Sequence, residues 1–543
     1  MSVGHLFYGD NLDVLRERVP SASVDLVYLD PPFNSNRNYN VIFARSDRVG
    51  NANQAQIQAF DDTWRWSTAT DDQYQQILAG AIPGRVADVL RALHALLGEN
   101  DAMAYLVNMA PRLVELYRVL KLTGSLYLHC DPTMSHYLKV LLDAIFGPDR
   151  FRNELTWKRT SSHSSAKKYA PVHDVIFYYA KGPNPIWNDP RVAHDPEYLD
   201  KYYRYDDGDG RLYWRNSLTA AGTRNGSSGQ PWRGIDIAAT GQHWKFTTDK
   251  LDELDAKGLI YWPPKVNGFP QIKRYRDELR GVAVADMWTD IDRINQVAAE
   301  RLGYPTQKPL ALLERIIAAS SNPDSVVLDP FCGCGTTVDA AVRLGRSWMG
   351  IDVTYIAVDL IMKRLEHTYG PSIANTYTVD GIPKDIGAAR SLFRRSPFDF
   401  ERWAVSLVNG TPNQKQVGDR GIDGVVRFFT DAKGQTGRVL VSVKGGKSIG
   451  PQFVRDLIGT VQTERAEMGT LLTLADPTRG IYDAVAHAGS YQWPVTGRAF
   501  PRAQVLTVEG LLDGGQRLES PPTLLPYIPA DRHKPTFDQL SLM

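Results

Sequence analysis

The chain has 543 residues, 43% of them apolar and 23% charged, and its 62 basic and 61 acidic residues give a net charge of +1. This composition excludes a disordered or collagen-like chain, and the length predicts about three to four structural units. Because the net charge is near zero, any site for a polyanion must be a local basic groove. Three cysteines, no apolar run near the ~18 residues of a membrane helix and no signal-peptide pattern predict a cytoplasmic protein without a membrane partner.

The first part of the chain predicts alternating strands and helices. A β-branched apolar run over 23–30 predicts a strand that ends at two prolines. The segment 44–80 is polar and predicts irregular structure. Helical spacing follows over 84–97, 100–120 and 135–146, and strands are predicted over 124–129 and 172–179.

From about residue 182 to 290, Gly, Trp, Tyr and Arg crowd together and apolar periodicity is poor, which predicts an inserted, loop-rich lobe. Basic residues interleaved with the aromatic ones form, as a group, a plausible DNA groove, although each alone is better explained as solvated surface. They are Arg204, Arg211, Arg215, Arg224, Arg233, Lys245, Lys273, Arg274 and Arg276.

Regular β-α-β-α texture returns after residue 310, which predicts a parallel sheet. Its predicted elements are helix 310–320, strand 325–329, helix 336–344, strand 347–352 and helix 355–368. A rise in charge predicts a domain boundary near 385–397, followed by a mixed α/β unit over 398–512 and a Pro-rich tail.

A glycine turn joins the strand before it to a helix in VVLDPFCGCGTT, residues 326–337. Gly333 and Gly335 permit a sharp turn and close approach of a ligand, but the spacing is not GxGxxG. Asp352, at the end of the next strand, can hold ribose hydroxyls. This pattern predicts a nucleoside ligand without phosphate, while a generic glycine turn with an incidental acid stays open; we interpret Cys332 and Cys334 as small turn residues.

The residues Asp30, Pro31, Pro32 and Phe33 lie at a strand's carboxyl end, where ligands bind in open α/β sheets. An exocyclic amine of a nucleobase is a poor nucleophile because its lone pair is conjugated with the ring. The Asp30 carboxylate and the Pro31 carbonyl can accept its N–H groups, the stiff prolines fix the carbonyl direction, and Phe33 offers a face for an extruded base. The alternative is a surface Pro-Pro turn.

DPPF at 30–33 followed by DPFCGCGTT at 329–337, with an aromatic-rich lobe between them, resembles the β-group of DNA amino-methyltransferases. YPTQKP at 304–309 resembles that family's further cofactor motif. The resemblance covers about residues 5–370 and implies an α/β fold: a Rossmann-like, S-adenosylmethionine-dependent methyltransferase sheet with an inserted target-recognition lobe, acting on double-stranded DNA.

The resemblance also implies site residues. The loop 34–40 borders the target base, and Asp352 binds the cofactor ribose. The remaining implied cofactor-binding residues are Asp329, Phe331, Gly333 and Gly335 on the methionine side, completed by Thr306, Gln307 and Lys308. Phe33 stands where tyrosine is commoner and Tyr304 where many members have histidine; we expect adenine N6 as the target, with cytosine N4 open.

Residues 418–447 resemble the Mrr-like branch of the PD-(D/E)xK nucleases, and the likeness extends over about 397–512. It implies a C-terminal α/β restriction-endonuclease-like domain in which Asp423 binds Mg²⁺, Lys444 is the catalytic lysine and Glu401 is a third group. Ser442 occupies the place of an expected Asp, Glu or Gln, and a serine hydroxyl is a poor Mg²⁺ ligand. DNA cleavage and an inactive DNA-binding relic therefore both stay open.

We expect a site-specific DNA methyltransferase in a restriction–modification or defence context. Its segments are 1–182 (catalytic half), 183–290 (target-recognition lobe), 291–385 (cofactor half), 397–515 (nuclease-like domain) and 516–543 (tail). The alternatives are a DNA-binding defence effector whose methylase half only senses DNA, and an N-methyltransferase of RNA or another amine. A homodimer and a separate restriction subunit both stay open as partners.

Overall fold

The computed structural model describes residues 3–32, 64–161, 169–264, 268–295, 300, 302, 306–413, 421–430, 435–446 and 449–523, and the backbone of 38–42 and 56–61. The chain forms two compact units: Asp189–Ala285 is one, and Met1–Asn188 with Asp286–Met543 is the other. Within the described ranges, no helix has both the length and the apolar character that crossing a membrane requires.

The first segment of the larger unit alternates strands and helices. Its strands are β1 (Gly4–Tyr8), β2 (Val24–Leu29), β3 (Asn38–Ile42), β4 (Gln56–Asp61), β5 (Leu120–Cys130), β6 (Phe151–Lys158) and β7 (His173–Ala180). Its helices are α1 (Asn11–Arg18), α2 (Thr68–Gln76), α3 (Gly84–Leu97), α4 (Asp101–Val119) and α5 (Ser135–Phe146), with helical turns at Ile77–Ala81 and Pro148–Arg150.

The expectation of irregular structure over 44–80 was wrong at its carboxyl end, where α2 forms. The Ser67 hydroxyl caps this helix by accepting a hydrogen bond from the Thr70 amide, and Tyr74 is buried against the core. A polar helix with one apolar face has few periodic apolar positions, so its pattern is weak in the sequence.

The smaller unit contains β8 (Arg191–Val192), α6 (Pro196–Tyr202), β9 (Tyr205–Asp206), β10 (Leu212–Ser217), β11 (Thr219–Ala221), β12 (Gln242–Trp244), α7 (Thr248–Ala256), β13 (Ile260–Tyr261), β14 (Gln271–Tyr275) and β15 (Val282–Ala283). Its main sheet is antiparallel and has the strand order β13-β14-β10-β9. A small core around Trp232 and Trp244 joins α7 to one face of this sheet through Leu251, Ile260 and Ile272.

The larger unit continues with β16 (Met287–Trp288), α8 (Leu310–Ser320), β17 (Val326–Asp329), α9 (Thr336–Arg343), β18 (Ser347–Asp352), α10 (Tyr355–Tyr369) and β19 (Tyr377–Asp380). With the first segment these strands form one nine-stranded sheet of order β16-β6-β7-β5-β2-β17-β18-β1-β19. The pairs β5-β2, β2-β17, β17-β18, β18-β1 and β1-β19 are parallel. This parallel sheet with helical crossovers confirms the predicted Rossmann-like class.

Buried Asp25 on β2 joins this strand to its neighbours β5 and β17. Its Oδ2 lies 2.8 Å from the Nζ of Lys121 on β5 and accepts a hydrogen bond of 2.9 Å from the Val326 amide on β17. A carboxylate taken out of water needs such partners, so β2 is tied to both neighbours at its amino end. The register Val327↔Leu26 then sets the opposite ends of β2 and β17 side by side.

The C-terminal part contains α11 (Ile386–Arg395), α12 (Pro397–Ser406), β20 (Thr411–Pro412), β21 (Gly424–Phe429), β22 (Thr436–Lys444), α13 (Gln452–Thr463), β23 (Met468–Thr473), α14 (Arg479–Ala486), β24 (Ser490–Gln492), β25 (Ala499–Pro501), β26 (Ala503–Thr507) and α15 (Val508–Leu512). Five of its strands form a mixed sheet of order β20-β21-β22-β23-β26. Helices α13 and α14 supply the buried residues Val454, Leu457 and Ile481 to its core.

The predicted boundary at 385–397 is occupied by α11, whose Ala389 and Leu392 are buried. The next helix, α12, contacts α10, because the Ser406 hydroxyl donates a hydrogen bond to the Tyr355 hydroxyl. Part of the predicted tail also packs on the C-terminal sheet: the Gln504 side chain donates to the Glu519 carbonyl, and Thr523 pairs with Phe428. Residues 524–543 lie outside the described part.

Candidate active site

The two motifs singled out in the sequence lie beside each other. Asp30 directly follows β2, Asp329 ends β17 and Asp352 ends β18, and these three strands are parallel neighbours. Their carboxyl ends therefore meet at one edge of the sheet, which is the edge where open α/β sheets bind ligands. Residues almost three hundred positions apart in sequence thus share one site.

A cavity of about 240 Å³ opens at this edge. Its lining is Asp10, Asn11, Tyr28, Asp30, Pro32, Trp64, Arg112, Thr306, Gln307, Lys308, Leu313, Asp329, Pro330, Phe331, Cys332, Gly333, Cys334, Thr336, Thr337, Asp352, Val353 and Thr354. Nine of the predicted residues are therefore brought together, whereas Pro31 and Gly335 are not in the lining. Phe33, residues 34–37 of the predicted target-base loop, Tyr304 and Pro305 lie outside the described residues.

Asp30 has one carboxylate oxygen held and one unsatisfied. Lys308 Nζ contacts Asp30 Oδ2 across 278 residues of sequence, and both side chains are largely buried. Asp30 Oδ1 is buried and has no hydrogen-bond partner among the residues that the structure describes. A buried oxygen without a donor costs free energy, so such an atom in a cavity indicates a place for a ligand donor.

The glycine loop has the backbone that its sequence predicted. Gly333 and Gly335 have φ values of +48° and +76°, a region that side chains disfavour. At Gly335, a Cβ would lie 2.7 Å from Ile361 Cγ1 on α10. Because glycine has only a hydrogen at that position, the loop can pack against this helix. The Gly333 amide donates a 2.9 Å hydrogen bond to Asp352 Oδ2, while the Thr354 amide and hydroxyl donate to Oδ1.

Asp329 and Asp352 are carboxylic acids removed from water. The pKa of Asp329 is raised to about 7, mainly by burial and in smaller part by the negative charges of Asp30 and Asp352, while hydrogen bonds from Thr337 and Phe331 oppose the rise. Burial likewise raises the pKa of Asp352. Raised carboxyl pKa values clustered in a cavity are typical of functional sites, and a cationic ligand would stabilise the ionised forms.

The remaining predicted pocket residues differ in what they contact. Gln307 turns back on its own loop: its amide nitrogen donates to the Glu300 carbonyl and its oxygen accepts from the Leu302 amide. Lys308 was predicted on the cofactor side, but its Nζ contacts Asp30. Gln307 thus stabilises the conformation of its own loop, whereas Lys308 makes a charged contact with Asp30.

Sequence reasoning missed a second wall of the cavity. Buried Arg112 on α4 donates to Asp10 Oδ2 at 2.7 Å and to Asn11 Oδ1 at 2.6 Å, and the Asn11 amide donates to the Pro330 carbonyl at 2.8 Å. A signal was present, since Asp10 comes two residues after the mostly buried strand β1. A lone arginine in an amphipathic helix gives no comparable pattern.

Behind the cavity, a buried polar chain leads away from Tyr28. The Tyr28 hydroxyl lies 2.9 Å from His129 Nδ1, and His129 Nε2 lies 3.2 Å from Asp174 Oδ2. Arg159 faces the other oxygen of Asp174 at 3.4 Å. Although burial opposes it, the hydrogen bond and charge of His129 hold the pKa of Asp174 below its ordinary value.

In the C-terminal sheet, Asp423 and Lys444 are brought together, with Asp423 Oδ2 3.7 Å from Lys444 Nζ. The same oxygen accepts a 2.6 Å hydrogen bond from the Val443 amide. Ser442 is buried on β22, and Glu401 lies on α12. Over the described ranges, no group of three or more His, Cys, Asp or Glu side chains converges as a metal site.

Two protein families match the chain. The N6/N4-type DNA methylase family matches residues 24–363, which is more than half of the chain. The family described as NACHT-associated inactive restriction endonuclease 1 matches residues 398–512. The C-terminal sheet lies within the stretch that resembles this family, which is described as inactive.

Three curated relatives are named as methyltransferases or as a subunit of a restriction–modification enzyme. Type II methyltransferase M.EcaI of Enterobacter cloacae is 38% identical over 262 residues, 48% of this chain and 57% of the relative. The Mod subunit of the type III enzyme StyLTI of Salmonella typhimurium is 27% identical over 358 residues, 62% of this chain and 49% of the relative. DNA adenine methyltransferase YhdJ of Escherichia coli is 38% identical over 99 residues, 18% of this chain and 31% of the relative. The chain thus spans about half the length of the first two relatives.

Proposed function

We propose that this chain, which belongs to the N6/N4-type DNA methylase family, transfers a methyl group from S-adenosylmethionine to the exocyclic amine of a base in double-stranded DNA. One observation carries the proposal. The buried, unsatisfied Oδ1 of Asp30 shares a cavity with the glycine loop and with Asp352 on neighbouring parallel strands. An acceptor for an amine and a nucleoside pocket at one edge are what this transfer requires.

Asp30 is the proposed catalytic residue. Its Oδ1 would accept an N–H of the target amine, drawing electron density onto nitrogen and directing its lone pair toward the cofactor side of the cavity. The base must leave the helix to reach such a buried group, as in other base-modifying enzymes. Holding the two reactants in one cavity supplies much of the rate gain, and no covalent enzyme intermediate is needed.

We propose Lys308 as a positioning residue for Asp30 in place of a cofactor ligand. Its ammonium balances the carboxylate at Oδ2, which leaves Oδ1 directed at the base. A carboxylate that lost this partner inside the protein would be strongly destabilised or would turn to another donor. The pair therefore fixes both the charge and the orientation of the catalytic group.

The acidic lining of the cavity suits the positive charge of S-adenosylmethionine. Asp352 with the Gly333 amide would hold the ribose, and Asp329 and Phe331 would lie at the methionine end. Asp10 and Asn11 would extend the same pocket, held in place by Arg112. When bound, the cofactor supplies an electrophilic methyl group.

The target is adenine N6 in this proposal, in a restriction–modification or defence context. Relatives of this chain include a protein named as a DNA adenine methyltransferase. Cytosine N4 is the second candidate, since both amines are conjugated and would use the same acceptor on Asp30.

The experiment is methyl transfer from labelled S-adenosylmethionine to unmethylated plasmid DNA by the purified chain, followed by nucleoside analysis. Label in N6-methyladenine supports the full proposal, and label in N4-methylcytosine moves the target to cytosine. RNA of matched sequence serves as the competing substrate. No label in DNA above that of the Asp30→Ala variant would contradict the proposal.

For the C-terminal domain we propose DNA binding without cleavage. Support comes from the buried Ser442 at an expected acidic position, from the ion pair that joins Asp423 to Lys444, and from the description of the matching family as inactive. The Mrr-like assignment, with Asp423 and Lys444 as catalytic residues, stays a prediction. Incubation of modified and unmodified plasmid with Mg²⁺ decides: intact DNA supports binding alone, and cleavage lost in Lys444→Ala would restore the nuclease.

A further inference from the structure

One face of the small antiparallel sheet in residues 189–285 combines tyrosines with cations. The register pairs Tyr213 with Tyr275 and with Tyr205, Arg215 with Lys273, and Tyr261 with Gln271. Directly opposed residues point to the same side, and residues two apart share a face. The opposite face carries Ile260 and Ile272 into the core with α7.

Arg215 is clamped between two rings on this face. Its guanidinium carbon lies 3.6 Å from the ring centroid of Tyr205 and 3.6 Å from that of Tyr261. Both faces of the planar group are therefore covered by aromatic surface, an arrangement in which cation–π attraction is favourable. Only the edge of the guanidinium, with its N–H groups, is left for a ligand.

The other cations of this face are matched by carboxylates. Arg211 contacts Asp277 and Glu278, and Lys273 lies 2.6 Å from Asp207. Among the described residues, no ion pair joins Arg215 to a carboxylate. Its side chain hydrogen-bonds Tyr213, and its Nε is buried without a hydrogen-bond partner. A rigid, charged donor with unsatisfied N–H capacity is thus held on a half-buried surface.

We propose that Arg215 reads a guanine of the target DNA by donating hydrogen bonds to its O6 and N7. The inference rests on the proposed function and names a specificity-determining residue for it. Because the two tyrosines cover the guanidinium faces, a pair of acceptors must approach in the guanidinium plane, and the flat edge of guanine offers such a pair in the major groove. The clamp also orders the side chain before binding, which lowers the entropy lost on recognition.

The test compares the full chain with Arg215→Ala, Arg215→Lys and the control Lys257→Ala, which removes an exposed cation of the same unit at the end of α7. Each is expressed in cells without other DNA methylation, and modified bases are located by sequencing. We expect the wild type and Lys257→Ala to share one motif, whereas both Arg215 variants lose the guanine preference at one position by about tenfold or more. Lysine keeps a cation between the rings but cannot form the planar pair of bonds, so Arg215→Lys decides even if the alanine variant fails to fold.

Binding to the identified motif gives the second readout. Replacing the guanine by 7-deazaguanine removes N7, which should weaken binding of the wild type and leave Arg215→Lys unaffected. An unchanged motif in Arg215→Lys would overturn the inference. A loss of affinity that is equal for all sequences would also overturn it, if the slope of log affinity against log salt concentration became shallower by about 1, because this would indicate a phosphate contact. Absence of methylation by the wild type would instead contradict the proposed function, and the 7-deazaguanine comparison on DNA pulled down with the chain would then test Arg215 alone.

Discussion

Cofactor binding should depend on pH through Asp329. This carboxyl is 3% exposed, and burial raises its pKa from 3.8 to about 7. S-adenosylmethionine carries positive charge at its sulfonium and α-amino groups, which favours the ionised carboxylate. Binding below pH 7 must therefore remove a proton from Asp329, whereas binding at pH 7.5 finds it mostly ionised.

The size of the effect follows from the pKa. With a pKa of about 7, roughly nine-tenths of Asp329 is protonated at pH 6, and one pH unit corresponds to 1.36 kcal/mol or a factor of ten. We expect the affinity to fall close to tenfold from pH 7.5 to pH 6, with release of nearly one proton per bound cofactor at pH 6. Above about pH 8 the α-amino group of the cofactor loses its own charge, so affinity passes through a maximum.

Calorimetry in two buffers of different ionisation enthalpy measures both affinity and proton release. The Asp329→Asn variant should bind more weakly at pH 7.5 and show little change down to pH 6. Asp352→Asn is the matched control, since it removes the other buried acid and should still show the loss of cofactor affinity between pH 7.5 and pH 6 that is due to Asp329. The reasoning would be refuted if the wild type bound the cofactor equally well from pH 6 to pH 7.5. It would also be refuted if Asp329→Asn lost affinity at pH 6 as the wild type does.

Three further predictions follow from the same cavity. Asp329 binds its proton more tightly in the folded chain than in the unfolded one, so its contribution to stability falls as pH rises from about 4 to about 7. Asp329→Asn should therefore raise the free energy of unfolding, measured by urea denaturation, at pH 8 but not at pH 4. The gain is at most about 4 kcal/mol, as calculated from a pKa of 3.8 in the unfolded chain and about 7 in the folded one, and equal effects at both pH values would contradict this. Lys308→Met should lower kcat at least tenfold with the Kd for S-adenosylmethionine nearly unchanged, and Lys308→Arg should restore part of kcat. A Lys308 variant that is defective only in cofactor binding would instead show that Lys308 is a cofactor ligand. Asp352→Ala should weaken cofactor binding about tenfold or more in calorimetry, and an unchanged affinity would remove Asp352 from the pocket.

Local pattern predicted much of the cofactor half. Helix α5 has the bounds expected from its spacing, and the strands that end in Asp329 and Asp352 were predicted to within one residue. Period-2 and period-3.6 patterns record burial, and glycine at a positive φ records a turn, so both are visible in one sequence. The shared edge of the sheet followed from the rule that parallel strands bind ligands at their carboxyl ends.

Long-range contacts were not predictable in the same way. The contact between Lys308 and Asp30 joins residues 278 positions apart, and no local pattern specifies which lysine faces which acid. Arg112 and Asp10 meet through packing of α4 on α1, again without a local signal. In the lobe, the clamp on Arg215 depends on strand register, which a sequence with poor apolar alternation specifies weakly.

The central claim is that Asp30 activates an amine inside a cavity whose other end holds the methyl donor. The most direct measurement is single-turnover methyl transfer to target DNA by Asp30→Ala, with S-adenosylmethionine affinity determined on the same sample. We expect transfer to fall at least a thousandfold, about 4 kcal/mol in activation free energy, with cofactor affinity within about twofold of the wild type. Undiminished transfer, or loss of transfer only in step with lost cofactor binding, would contradict the account.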